Sequence, residues 1–261
     1  LTLIEYMKKF DLIVIGGGSG GVRSARIAAL HGAKVALCEK DRMGGTCVIR
    51  GCIPKKILFY SSQFRDIFLA SNNYGWSTKS IKYDFAKMIK RKNIELKRLE
   101  NIYEENALKA GVELFKGEAS FVNKNEIKIN GKNLYGKKII IATGGTPINF
   151  KNAGYDLTED SDSIMQLKSL PKSLVIIGAG YIAIEFAFIF ANLGTKVSLI
   201  VRKNILRGFD KSLVDLIQNN LLQKNVKIYF KNQVKEINKN KNKLNVILQR
   251  NAKIINTEKV L

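Results

Sequence analysis

An α/β fold with two similar parallel-sheet domains is what this sequence predicts, and three observations predict it. A continuous apolar run ends in a cluster of glycines that opens a helical pattern. The same arrangement returns 162 residues later, where Gly178 repeats Gly16. Around these copies, short strand-like runs alternate with amphipathic helical ones, as in sheets covered by helices. Both domains are therefore expected to be Rossmann-like dinucleotide-binding units.

The first copy, FDLIVIGGGSGGVRSARIAALHGAKVALCEK (10–40), reads as strand, glycine turn, helix, strand; SLVIIGAGYIAIEFAFIFANLGTKVSLIVRK (173–203) reads the same way. Superposed in sequence, Gly16, Gly18, Gly32, Lys34 and Val35 fall on Gly178, Gly180, Gly194, Lys196 and Val197. In Gly16-x-Gly18-x-x-Gly21, the first glycine allows the tight turn and the second lets backbone approach a pyrophosphate. The third packs helix on strand, and the helix N-terminus faces the anion. Ala183 takes the third position in the second copy. The copies differ where nucleotide specificity is set. Glu39 ends the first unit's second strand, placed to accept hydrogen bonds from a ribose diol. Its counterpart is Val201, followed by Arg202 and then Arg207. A carboxylate repels a 2′-phosphate, whereas guanidiniums bind it with charge-assisted hydrogen bonds. The first site thus reads as FAD or NAD, the second as NADP(H).

Between the copies, residues 82–111 have the period of an amphipathic helix, followed by the short β-like runs VELFKG, ASFVN, NEIKIN and KKIIIATGG. Asn149 to Leu170, with breaks at Pro147, Gly154 and Pro171, reads as the domain join. The expected domains are 7–150 and 151–261. A helix is expected at 211–223 and strands near 226–230, 234–238 and 243–249, with no closing element before Leu261.

Composition narrows the partners. A hydrophobic share of 46% over 261 residues suits one large or two ordinary domains. No apolar run reaches the ~18 residues of a membrane span. Nothing before Met7 resembles a secretory signal, and Leu1–Tyr6 read as upstream extension, so the cytosol is the expected compartment. A net charge of +22 raises nucleic acid as a partner. The lysines, however, are spread along the whole chain without interleaved aromatics, so a solvated basic surface is expected, with neither nucleic acid nor membrane as partner.

Three cysteines do not make a disulfide framework. Cys38, within KVALC, is expected to be a buried strand residue. GGTCVIRGCIPKK (44–56) raises a different question. Residues i and i+5 of a regular helix lie about 8.6 Å apart at Cα, beyond the ~4.4–6.8 Å of a disulfide. If Cys47 and Cys52 pair, the chain between them must leave helical geometry, and Gly51 is the residue to allow it. A helix N-terminus and the lysines that follow would lower the thiolate pKa, favouring a labile bond over a structural one. No second ligand pair for a metal is in view, since the sole histidine, His31, lies in an LHG turn. A redox disulfide beside two dinucleotide sites implies a relay from NADPH through flavin to sulfur.

GGGSGG, GGTCVIRGCIPKK, IIIATGG and GAGYIAIE together resemble the pyridine nucleotide–disulfide oxidoreductases, from about Met7 to the end. The resemblance implies a three-layer ββα fold in which the second domain is inserted into the first, with FAD and NADPH as cofactors. The chain is most similar to the glutathione reductase branch, through Lys55–Lys56 after the second cysteine and Arg26 in the first helix. That branch implies glutathione disulfide as substrate and a homodimer for a full-length member. By carry-over, Arg26 would hold a glutathione carboxylate, with Tyr103 and Ser19 also at the substrate. Cys47 would be the exposed thiol that forms the mixed disulfide, and Cys52 would lie against the flavin. Lys55 would stand near flavin N5, paired with Glu185, with Lys56 the alternative; Tyr181 would cover the flavin face. Ser19, Gly20, Gly45, Thr46, Ala119, Thr143 and Gly144 fall on FAD-contacting positions, Ala179 and Ile182 on NADPH-contacting ones.

Members of the family are nearly twice as long and add a returning FAD segment and an interface domain bearing a catalytic histidine. The chain is therefore expected to be an N-terminal part, weak in turnover, and His31 matches no catalytic position. The two arginines also stand one residue closer than in many relatives. The alternatives are a reductase of another disulfide, as in dihydrolipoamide dehydrogenases, and a non-catalytic nucleotide-binding fragment.

Overall fold

The computed structural model describes residues 7–77, 80–148 and 153–261. Leu1–Tyr6, read above as extension, and residues 149–152 of the expected join lie outside these. Strand β1 (Lys8–Ile15), helix α1 (Ser19–Leu30) and strand β2 (Val35–Glu39) form the first repeat. A π-helical turn at Thr46–Arg50 leads into α2 (Cys52–Ser71), and α3 follows at Phe85–Lys109. Strands β3 (Glu113–Lys116), β4 (Ser120–Asn123), β5 (Glu126–Ile129) and β6 (Lys132–Ile141) come next. The second repeat is β7 (Ser173–Ile177), α4 (Tyr181–Asn192) and β8 (Lys196–Val201). Then come α5 (Lys211–Gln223), β9 (Lys227–Phe230), β10 (Val234–Asn240) and β11 (Lys243–Leu248). Two further strands, β12 (Ile254–Thr257) and β13 (Lys259–Val260), correct the expectation that no element follows residue 249.

The chain divides into two compact units. One comprises residues up to Pro54 with Arg91–Thr146; the other comprises Lys55–Lys90 with Pro147–Leu261. A single cut after residue 150 misses the transfer of 55–90 to the second unit. Packing explains it: Leu58, Phe85 and Ile89 bury themselves in one cluster with Phe186, Phe190 and Leu199.

The first unit holds a six-stranded sheet in the order β3-β2-β1-β6-β5-β4. Its first four strands are parallel, and β5 and β4 continue it antiparallel. β1 is apolar on both faces because both are covered. Ile13 and Ile15 pack with Ile127, Ile129 and Leu134 on one side. Val14 packs with Val22, Ala25 and Ala107 of α1 and α3 on the other. The second unit pairs β13-β7-β8-β9 in parallel and β10-β11-β12 antiparallel. Alternate residues of β7 and β8 face α4 through Leu174, Ile176 and Leu199, and the antiparallel sheet through Val175 and Ile200. The second unit is therefore a three-layer ββα assembly, and in the first the antiparallel end of the sheet covers the face of β1 opposite α1 and α3.

Candidate active site

In the first unit the glycine turn is defined by what surrounds it. Gly16 has φ +109°, and a side chain there would drive into the carbonyl of Ala142. A Cβ on Gly21 would collide with the Gly16 carbonyl and stand 3.2 Å from Val14 Cγ1, so only glycine lets α1 close onto β1. At Gly18, Gly20 and Gly144, by contrast, an added Cβ meets nothing nearer than 3.7 Å, leaving the turn open to a ligand. Gly18 caps α1 without a side-chain hydrogen bond, and no acid occupies the first turn, so its free N–H groups can meet an anion. Glu39 sits against this turn: one carboxylate oxygen accepts from Gly17 N–H at 2.5 Å and the other from Asp41 N–H at 2.7 Å. Thr143 is exposed after β6, and Ala119 packs against the apolar cluster on β1.

The turn is stitched to the cysteine segment. Gly44 N–H donates to the Gly17 carbonyl at 2.8 Å, and Gly18 and Gly44 form a parallel bridge. A Cβ on Gly45 would stand 2.6 Å from Gly18 Cα. Ser19, Thr46 and Cys47 are thus brought together by backbone contact. The chain between the cysteines does leave α-helical geometry, through the π-helical turn. Gly51 serves this by its lack of bulk, not by left-handed backbone: its φ is −137°, and a Cβ would press to 2.8 Å from the Thr46 carbonyl oxygen. Both sulfurs are unbonded thiols in hydrogen-bonding contact.

Two expectations need correction here. The Cys47 pKa is raised, not lowered: the hydrogen bond with the Cys52 thiol comes first, then burial, then the Cys52 charge. The Ser19 hydroxyl and Cys52 N–H only partly offset this. The neighbouring sulfur outweighs the helix dipole because it is in direct contact. Exposure also runs the other way, with Cys52 exposed and Cys47 half-buried. Cys38 is 2% exposed in β2, its pKa pushed up to about 12 by burial, and takes no part.

In the second unit Lys55 pairs with Glu185, one turn along α4 from Tyr181, and its ammonium lies 5.1 Å from the centre of the Tyr181 ring. That pairing is the only partner of the buried Glu185 Oε2 among the described residues. Lys56, the alternative, instead stands over Tyr60. Tyr181 and Ile182 are exposed at the N-terminus of α4. That helix too has a glycine cap, Gly180, with no side-chain hydrogen bond, whereas Asp210 caps α5 through Ser212 and Leu213 N–H. Beside Gly178, Ala179 and Gly180 opens a cavity of about 690 Å³ whose wall includes Arg202, Lys203 and Arg207. Its size suits a nucleotide-bearing ligand.

A sequence model of the pyridine nucleotide-disulphide oxidoreductases matches residues 10–261. The chain belongs to this family. Among its relatives, a glutathione reductase of Burkholderia cepacia is 46% identical over 205 residues, covering 78% of this chain and 46% of the relative. A glutathione reductase of Nostoc sp. is 40% identical over 229 residues, covering 87% and 50%. Among solved structures, the HOCl-induced flavoprotein disulfide reductase RclA from Escherichia coli superposes with a TM-score of 0.84 at 29% identity, covering 96% of this chain and 55% of that one. The chain spans about half the length of the curated relatives it matches.

In this pyridine nucleotide-disulphide oxidoreductase the cavity of the second unit is also lined by residues that the motifs did not reveal. Tyr155, Asn232, Gln233 and Gln249 line the cavity in the second unit. They come from segments far apart in sequence, so no motif marks them. Arg26 is half-buried with its Nε enclosed and without a hydrogen-bond partner among the described residues, an available donor for an anionic group. Tyr103 packs its ring against the cluster of Val22 and Ala25. Among the described residues no three His, Cys, Asp or Glu side chains gather as a metal site, and no helix is long and apolar enough to cross a membrane.

Proposed function

We propose that the chain carries the FAD site, the NADPH site and the thiol pair of an NADPH-dependent disulfide reductase acting on glutathione disulfide. The observation that carries this reading is the contact between Cys47 and Cys52 against the glycine turn of the first unit. FAD fits that unit: Gly20 and Gly144 leave open space and the α1 N-terminus is uncapped. Glu39 offers acceptors at the ribose position. NADPH fits the second unit, where Gly180 is equally open and two guanidiniums and an ammonium line the cavity. FAD, when bound, would pass two electrons from NADPH to the Cys47–Cys52 bond. Lys55, Glu185 and Tyr181 are assigned to the nicotinamide end of that transfer.

In the substrate half-reaction Cys47, as thiolate, attacks one sulfur of glutathione disulfide. A mixed disulfide forms and one glutathione leaves as thiolate, to be protonated. Cys52 then attacks the Cys47 sulfur, the Cys47–Cys52 bond closes and the second glutathione departs. Two electrons have moved from protein to substrate, and NADPH plus a proton restores the dithiol. Ser19, in hydrogen-bonding contact with Cys47, stabilises the attacking thiolate. Arg26 would hold a glutathione carboxylate. The names of the relatives support the substrate. The same reading places the protein in the cytosol as a homodimer, with neither nucleic acid nor membrane as partner.

Anaerobic NADPH titration of the FAD-loaded chain tests the proposal. A long-wavelength thiolate–flavin absorbance should appear, vanish in Cys52→Ser, and decay in a single turnover when glutathione disulfide is added. A chain that stays colourless in excess FAD refutes it, and equal reoxidation by lipoamide refutes the substrate.

A further inference from the structure

Six non-glycine residues have positive φ among the described residues, and five of them are exposed. The sixth is Leu206, at φ +46° and 5% exposed. A bulky buried side chain in the left-handed region is held there only by over-determined surroundings. Those surroundings are visible. Leu206 N–H donates to the carbonyl of Ala179, in the second glycine turn, at 2.8 Å. Its carbonyl accepts from Phe209 N–H at 3.1 Å, and its side chain is locked in the cluster of Ile184 and Leu199. The next residue is Arg207, and Ala179, Arg202, Lys203 and Arg207 all line the one cavity.

Resting on the reading of that cavity as the NADPH site, we propose that Leu206 is a positioning residue for a nucleotide 2′-phosphate. Its left-handed turn and its tie to Ala179 hold the Arg207 guanidinium on the wall shared with Arg202 and Lys203. Discrimination between phosphorylated and unphosphorylated dinucleotides then depends on a backbone conformation as well as on charge. An extended or helical residue at 206 would re-aim the chain just before the arginine and release the bond to the glycine turn.

Adenosine 2′,5′-bisphosphate and 5′-AMP, titrated calorimetrically into the 261-residue chain, separate the 2′-phosphate contribution from that of the rest of the ligand. Leu206→Val, whose β-branch resists positive φ, should lower the bisphosphate-to-AMP affinity ratio roughly tenfold, the loss of about one charge-assisted hydrogen bond. Its AMP affinity should stay within about twofold, and Leu206→Met, which keeps volume and N–H, should retain the ratio. An unchanged ratio in a Val variant that still binds AMP overturns the proposal. Should that variant not fold, amide exchange in the parent decides: greater slowing at Leu206 by the bisphosphate than by AMP supports the role, and equal slowing overturns it. A parent with no preference for the bisphosphate overturns the NADPH reading itself, an outcome distinct from a ratio lost only on substitution.

Discussion

Lys92 on α3 is 1% exposed, and burial, reinforced by the Arg42 charge, pulls its pKa from 10.5 down to about 8. At pH 9 the folded chain therefore holds this lysine largely neutral while the unfolded chain keeps it protonated. The unfolded state binds more protons, so stability must rise with pH across the window from about 8 to 10.5, and below it the penalty for burying the charge is felt in full. Each pH unit of separation corresponds to about 1.36 kcal/mol, so about 2 kcal/mol accumulates between pH 8 and 9.5. Lys92→Met removes this contribution. Urea unfolding of both proteins from pH 7 to 9.5 isolates it as a difference. The stability of the parent minus that of the variant should be flat near pH 7 and climb by about 2 kcal/mol at the alkaline end. A difference that stays level, or falls with pH, would show that the buried lysine titrates normally and refute the reasoning.

Gly21→Ala should destabilise the first unit by roughly 1–3 kcal/mol through overpacking, since the new Cβ meets the Gly16 carbonyl. An unchanged urea midpoint would contradict that close approach. Alkylation of Cys47 should show a pH midpoint above the ordinary thiol value, shifted down in Cys52→Ser and up in Ser19→Ala, following the causes that act on it. A midpoint below that of a free thiol would count against the sulfur–sulfur contact. Replacing Arg202 and Arg207 with leucine together should weaken NADP⁺ binding by roughly 100-fold or more, at 1.5–3 kcal/mol for each charge-assisted hydrogen bond. NAD⁺ binding should change little, and calorimetry on both ligands would expose a uniform loss instead.

What could be read from the sequence was local. The demand on Gly21 comes from Gly16 and Val14, within one turn and the strand before it, and the run of residues states it outright, whereas the space at Gly16 is also closed by the distant Ala142. Helix α5 is legible for the same reason, with Asp210 capping a clean amphipathic period. The misses are non-local. β13 is two residues long and is a strand only because Lys259 and Val260 pair with Leu174 and Val175. Asn232 reaches the cavity because its N–H is tied to the carbonyl of Val201, a distant residue brought alongside by the sheet. The Cys47 pKa departs from expectation because the sequence suggests the two cysteines as a bond under a helix dipole and lysines, whereas as two thiols in contact the second raises the first. Leu206 runs against its own propensity, and tertiary packing prevails.

The divergence of the two repeats follows from the same balance of local and distant constraints. In the first copy the residue ending the second strand is Glu39, half-buried, with both carboxylate oxygens engaged by backbone N–H groups of the turn and the following loop. In the second copy that position is Val201, 0% exposed and part of the apolar core. A buried aliphatic can offer a ligand nothing polar, so on the proposed reading recognition passes outward by one residue to Arg202, which lines the cavity, and its sign reverses. An acid could not simply be restored at 201, because an ionised carboxylate there would be enclosed by Leu199, Ile205 and Leu206 without the N–H donors that satisfy Glu39. On that reading, the choice between ribose and 2′-phosphate follows from whether the strand's last residue is held by backbone N–H groups, as Glu39 is, or buried in the apolar core, as Val201 is, and one repeated scaffold would hold two different dinucleotides.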